Sequence, residues 1–349
     1  MTQRIDFEEG LDLFTNTSLS ELKKQASAIR QSKNPGNRVT FVLDSNPNYT
    51  NICSSRCTFC PFYREKDAPD CYTKTVDQVL EHFKIAEKQG LSTVLLQGGL
   101  NDDLNIHYYT EIISRARSEY PSIHPHLFSA PEVAACAKAS NLTIKETLKT
   151  LWDAGLRTIP GAGAEILSER IRKQISPKKI DCTLWLAIHK MAHNIGFRTT
   201  ATMMYGHIEE PQDILIHLQA LRDLQDKTKG FTAFIPWSFK GANTALGQRV
   251  KKQAGREEYL RIIAFSRIFL DNFDHIQATW FSEGKETGIE SLQYGADDFG
   301  GIIAEENVHK AANFINTTSE NGIISMIQKA GFEPVERDTL YRMRVRPET

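Results

Sequence analysis

Short runs of β-branched and aromatic residues alternate with amphipathic segments along this 349-residue chain, and few folds accept that rhythm. The candidate strands are Val39–Leu43, Thr93–Leu96, His126–Phe128, Arg157–Ile159, Phe197–Met203, Phe231–Ile235 and Ile276–Trp280, with a weaker eighth near Gly301–Ala304. The helices between them have legible ends. Thr75 with Gln78 forms a capping-box pattern before Val76, Val79, Leu80 and Phe83, and Gly90 stops that helix. Thr143 with Glu146 repeats the device ahead of Leu148, Leu151 and Trp152, with Gly155 as the stop. Pro211 opens a third helix, where a missing N–H costs nothing. Strand–helix alternation calls for parallel strands under helical cover. Seven strong units and a weak eighth in one chain of this length predict an α/β fold, a (β/α)8 TIM-type barrel. Residues 1–37 are expected to form an N-terminal helical extension, and residues 38–349 the barrel domain with a C-terminal helical or extended tail. The alternative architecture is an open doubly wound sheet, which would gather function at one switch point.

Charge and composition exclude several classes of function. Forty-two basic residues against forty-three acidic ones leave a net charge of −1, so nothing points to nucleic-acid or membrane electrostatics. Met1–Gly10 has no basic segment followed by an apolar one, and no apolar run approaches the ~18 residues of a membrane span. Cys71, Cys136 and Cys182 are scattered, as reduced thiols in a cytoplasm would be.

The remaining cysteines are not scattered. Asn51-Ile-Cys-Ser-Ser-Arg-Cys-Thr-Phe-Cys60 places Cys53, Cys57 and Cys60 in a C-x3-C-x2-C triplet. Thiolates are the usual ligands of iron–sulfur clusters, and three of them on a [4Fe–4S] cube leave the fourth iron open to a small molecule. Two alternatives stand beside this. The i, i+4, i+7 spacing would also suit a cysteine stripe on a buried helix, although Asn51, Ser54, Ser55 and Pro61 argue for a loop. A zinc site would close with a fourth ligand, such as Cys71 or a histidine, but no second C-x2-C half exists.

Other chemically rich residues fall at the carboxyl ends of the predicted strands, where barrels gather function. Gln97-Gly98-Gly99 follows the second strand; such glycines admit backbone close to a ligand or simply make a turn. Ser129 follows the third. Gly161-Ala-Gly-Ala-Glu165 follows the fourth, and its carboxylate suits a ribose diol or an amine, or else a helix N-terminus. Arg172 could pair bidentately with a carboxylate or sit on a solvated helix face. Met203-Met-Tyr205-Gly-His207 ends the fifth strand with apolar walls and a histidine able to move a proton; a core histidine is the alternative. Pro236-Trp237 after the sixth offers an aromatic wall.

The cysteine loop, including Phe59 before its last cysteine, resembles that of the radical S-adenosylmethionine (SAM) superfamily. Longer stretches narrow the resemblance: Asn48-Tyr-Thr-Asn-Ile-Cys53, Cys60-Pro-Phe-Tyr-Arg64, Leu96-Gln-Gly-Gly99, His126-Leu-Phe-Ser129, Ile159-Pro-Gly-Ala-Gly-Ala-Glu-Ile-Leu167, Thr200-Ala-Thr-Met-Met-Tyr-Gly-His207 and Gly230-Phe-Thr-Ala-Phe-Ile-Pro-Trp-Ser-Phe239. Together they resemble the cyclic dehypoxanthinyl futalosine synthase family of the futalosine route to menaquinone. Pro61, Ala130 and Ala162 depart from that family's usual residues, and Leu100 replaces a glutamate found in many radical SAM proteins. The resemblance implies a [4Fe–4S] cluster on Cys53, Cys57 and Cys60, and SAM held by Phe59, Gln97, Gly98, Gly99, Ser129, Glu165 and Arg172. It further implies His207 and Tyr205 as candidate proton acceptors, a small nucleoside substrate, and an electron donor such as flavodoxin or ferredoxin. The implied reaction is hydrogen abstraction by a 5′-deoxyadenosyl radical followed by C–C ring closure. Aminofutalosine synthase and deazaflavin synthase-like enzymes are sister readings. An iron–sulfur sensor is the non-enzymatic one, although the polar strand ends count against it.

Overall fold

A computed structural model describes residues 4–301, 304–305 and 307–344. Its strands are β1 (Arg38–Val42), β2 (Asp44–Ser45), β3 (Thr93–Leu96), β4 (His124–Leu127), β5 (Thr158–Ile159), β6 (Arg198–Tyr205), β7 (Phe231–Ser238), β8 (His275–Ile276), β9 (Asp298–Gly301) and β10 (Glu333–Glu336). Seven of them pair in parallel, in the order β2-β3-β4-β5-β6-β7-β8. β1 lies between β9 and β10 in a second parallel sheet. Single-residue bridges from Gln277 to Asp298 and from Ser45 to Ala304 join the two sheets, so the strands curl into a TIM-type barrel. No open edge of a doubly wound sheet forms along this ring among the described residues.

The helices follow their capping chemistry. Between β2 and β7 come α3 (Val76–Lys88), α4 (Ile106–Glu119), α5 (Ala130–Ala139), α6 (Ile144–Asp153), α7 (Glu169–Ile175), α8 (Cys182–Ile195) and α9 (Pro211–Thr228); α10 (Arg256–Phe269) follows β7. Thr75 and Thr143 each accept a hydrogen bond from the backbone N–H three residues on, and Gln78 and Glu146 return it. Ahead of the barrel, α1 (Phe7–Asn16) and α2 (Leu19–Lys33) occupy the region expected to be helical. Leu22 and Ala26 of α2 are fully buried, and its Arg30 donates to the carbonyls of Ala296 and Arg38.

The largest departure from the sequence reading lies at the first strand. The expected strand Val39–Leu43 is present as β1, but it pairs with β10 from Arg38 to Phe41, and the pairing to β3 falls to a further short strand, β2, beyond Leu43. The segment after β10 turns inward and plugs the barrel. Arg337 donates to Asp298 through Nε (2.5 Å) and Nη2 (2.9 Å), Tyr341 stacks on its guanidinium at 3.8 Å, and the Thr339 hydroxyl meets that of Thr93 at 2.8 Å. Ile276–Trp280 was expected as strand throughout, but Trp280 begins a helical turn, its indole N–H donating to the Gly301 carbonyl. Residues 302 and 303 of the weak eighth strand lie outside the described residues; the strand itself is Asp298–Gly301.

Candidate active site

Cys53, Cys57 and Cys60 lie on an irregular loop at the carboxyl end of the first strand, which removes the helical-stripe alternative. All three line one cavity of about 350 Å³ inside the barrel mouth. The loop is tied down through its backbone: Cys53 N–H donates to Arg64, Ser54 to Leu100 and Thr58 to Ile175, while the Thr58 carbonyl accepts from Leu246. Gly98 and Gly99 make this seating possible. A Cβ on Gly99 would lie 2.2 Å from the Ile52 carbonyl oxygen, and one on Gly98 would strike the Tyr49 ring at 2.7 Å. The glycine pair is therefore required by the approach of the cysteine loop itself, whatever binds above it.

The donor set fits an iron–sulfur cluster with one open iron. Cys71 donates its thiol to the Lys66 carbonyl and does not line the cavity, and Cys136 and Cys182 are buried beyond it. No fourth cysteine is at hand to close the site. Among the described residues no three His, Cys, Asp or Glu side chains converge as they would around a single ion. Burial pushes the Cys57 thiol up, opposed by the charge of Lys179, and pushes Cys60 up to about 11. Ligation must therefore remove protons that the bare loop holds.

Two buried carboxylates organise the wall beside the cysteines. Ser129 caps α5, and Glu132 in the first turn of that helix is 1 % exposed. Its Oε2 accepts from the Ser129 N–H (2.7 Å) and hydroxyl (2.5 Å), and its Oε1 from the Gly98 N–H (3.0 Å) and the Tyr49 hydroxyl (2.7 Å). One side chain thus locks the Gly98 turn to the end of β4. The sequence reading missed it, although Ser129-x-x-Glu132 has the capping-box spacing.

Glu165 lines the cavity in a left-handed backbone conformation (φ 45°), and Lys179 donates to its Oε1 at 2.7 Å. Lys179 also lines the cavity, with its ammonium 5.6 Å from the centre of the Phe59 ring; no motif marked it in the sequence. Arg172 is buried outside the lining and donates to the carbonyls of Gly163, Ala164 and Ile180, which shapes the turn that presents Glu165.

Tyr205 and His207 are also placed outside the cavity. The Tyr205 ring is fully buried with its hydroxyl 3.3 Å from Glu283. His207 folds back on its own loop, Nε2 against the Met204 carbonyl (3.2 Å) and Nδ1 against the Glu209 carboxylate (2.9 Å) and the Ile208 N–H (2.8 Å). The alternation of β6 turns Tyr205 away from the reacting space, and the loop after Gly206 folds His207 back, which the strand-end position alone could not reveal.

The rest of the lining comes from other strands. Trp237 on β7 and Phe281 face His309, with ring centres 5.9 and 5.4 Å apart, and His126, Thr200, Thr202, Gln277, Arg337 and Tyr341 line the same space. Its cations carry their own counter-charges: Lys179 is paired with Glu165 and Arg337 with Asp298.

A parallel α/β barrel whose first βα loop offers three thiols to a central cavity defines a class of cofactor-dependent enzyme. Residues 47–221 match the family model described as the radical SAM superfamily, and residues 228–349 match the CofH/MqnC C-terminal region. The chain belongs to the radical SAM superfamily, whose resident groups are a [4Fe–4S] cluster and SAM. It is 39% identical over 341 residues to the cyclic dehypoxanthine futalosine synthase of Streptomyces coelicolor, covering 97% of this chain and 85% of the relative. It is also 39% identical over 348 residues to the 5-amino-6-(D-ribitylamino)uracil–L-tyrosine 4-hydroxyphenyl transferase of Methanococcus vannielii, covering 97% of both. In fold it is similar to methylornithine synthase, with a TM-score of 0.72, 16% identity and 95% of each chain covered.

Proposed function

We propose that this enzyme is a radical SAM cyclase that closes dehypoxanthine futalosine to its cyclic form on the futalosine route to menaquinone. One observation carries the reading: Gln97, His126, Ser129 and Trp237, the strand-end residues of the futalosine-type resemblance, line the same cavity as the three cysteines. When bound, the cluster and SAM supply a 5′-deoxyadenosyl radical, with a flavodoxin or ferredoxin as the electron donor. Cys53, Cys57 and Cys60 would hold the cluster. The Gly98–Gly99 turn and Ser129, fixed by Glu132, would flank the methionine part of SAM, and Glu165 with Lys179 would face its polar groups. Trp237, Phe281 and His309 would hold the aromatic ring of the substrate against the ribose, so that hydrogen abstraction leads to closure instead of quenching. Tyr205 and His207 would support β6 and its loop.

The transferase reading has its own support in the equal identity to the archaeal relative. The two differ in molecularity, since a cyclase needs one substrate and a transferase two. Reduced holoenzyme with SAM is offered dehypoxanthine futalosine alone, then tyrosine with 5-amino-6-(D-ribitylamino)uracil, and the products are identified by mass spectrometry. A cyclised product two hydrogens lighter than dehypoxanthine futalosine is expected, in the first tube alone. Turnover only in the second overturns the cyclase and leaves superfamily and fold intact.

A further inference from the structure

His207 and Tyr205 do not face the cavity, so the proton lost during ring closure needs another route. His126 lines the cavity from β4, and its Nδ1 lies 2.8 Å from the hydroxyl of Thr158, its register partner on β5. The same hydroxyl lies 2.8 Å from Nε2 of His124, two residues earlier on the same face of β4. A hydroxyl between two imidazole nitrogens accepts from one and donates to the other, so the three groups form one continuous line. Thr158 is 1 % exposed, whereas His124 does not line the cavity and is only half-buried. The line therefore starts in the reacting space and ends near the amino-terminal face of the barrel. With Nδ1 engaged by Thr158, Nε2 is the nitrogen through which His126 would serve the cavity that it lines.

The geometry points to a proton wire, His126–Thr158–His124, that carries the proton released in the cavity through the barrel floor to solvent. It rests on the cyclase reading, in which the closed ring regains aromaticity by losing a proton and an electron. The electron goes to a one-electron acceptor of the iron–sulfur class. The proton goes from the ring carbon to His126 Nε2, the Nδ1 proton passes to Thr158, the hydroxyl proton passes to His124 Nε2, and His124 releases its Nδ1 proton outside. Reorientation of the three donors resets the line. Burial, with His124 and Arg337 as neighbours, keeps His126 down at about 3. Burial also holds His124 at about 4, with Asp338 opposing and Arg117 and Arg342 assisting. Both rings are thus neutral at neutral pH, as a relay that stores no proton requires.

The test is Thr158→Val, which keeps the shape and removes the hydroxyl, with Thr158→Ser as the rescue. Holoenzyme is given dehypoxanthine futalosine, and cyclised product is measured per 5′-deoxyadenosine formed. Thr158→Val is expected to lower that ratio about tenfold or more, as loss of a proton-transfer group does, with Thr158→Ser restoring it. An unchanged ratio overturns the wire. If the parent enzyme forms no cyclised product, the cyclase reading fails, and the wire is judged by 15N NMR of labelled histidines with the cluster in its diamagnetic oxidised state. Neutral His126 and His124, one donating and one accepting toward Thr158 and both shifted in Thr158→Val, sustain it. Charged rings, or rings indifferent to the substitution, overturn it.

Discussion

At the scale of single residues, Glu132 decides more of the site than any group picked out by motif. Its carboxylate collects four donors that arrive from three separate stretches of chain: the Tyr49 hydroxyl, the Gly98 N–H, and the N–H and hydroxyl of Ser129. Burial raises its affinity for a proton, and the four donors oppose that rise. Glu132→Gln keeps the volume but turns an NH2 toward donors that need an acceptor. The expected cost is about 1–3 kcal/mol of stability, read by urea unfolding. SAM affinity should also fall about tenfold by calorimetric titration, because the Gly98 turn and Ser129 lose their common anchor. A stability loss with unaltered SAM affinity would confine Glu132 to a structural part. The cysteines, Gly98, Gly99, Ser129 and Glu165 were legible as strand-end residues. Glu132 and Lys179 were not, since each takes its meaning from partners distant in sequence or from a loop with no motif.

At the scale of elements, the cysteine loop and the β3 turn are one unit. The loop lies against Gly99 so closely that any side chain must displace it. Gly99→Ala should cost about 1–3 kcal/mol through overpacking. More tellingly, anaerobic reconstitution should leave iron and sulfide well below the parent's content, measured by colorimetric assay. Full cluster content in Gly99→Ala would show that the loop has room the packing does not suggest. The helices around this unit were readable because a capping box is local, made by residues three apart. The short strand β2 and the existence of β10 were not. Glu333-Pro-Val-Glu336 carries no alternation strong enough to announce a strand, and it becomes one by pairing with β1.

At the scale of the whole molecule, the barrel stores several neutral imidazoles. Burial lowers His126, His193 and His217 to about 3, and His124 and His309 to about 4. In the unfolded chain such groups titrate near 6.5. Between those values the unfolded state binds more protons, so stability is full above about pH 6.5 and falls as the pH drops toward 4. Unfolding free energies from urea titrations between pH 7.5 and 5 should decline by an amount on the order of several kcal/mol in total. A flat profile would mean that these rings are protonated or solvated in the folded protein. The sequence by itself determined the rhythm of strands and helices, the capped helix ends, and the three thiols on a loop with no fourth nearby. These are local matters of period, spacing and side-chain chemistry. Only the tertiary structure decided which strand-end residues face inward. Curling the sheet turned Tyr205 and His207 away, spent Arg172 on backbone carbonyls, brought Glu132 beneath Gly98, and drew Arg337 and Tyr341 into the barrel from the far end of the chain. The contacts of Glu132 with Gly98 and of Arg337 with Asp298 join residues tens of positions apart, beyond any short window of sequence, and the local turns of Arg172 and His207 take their direction from the sheet they sit on.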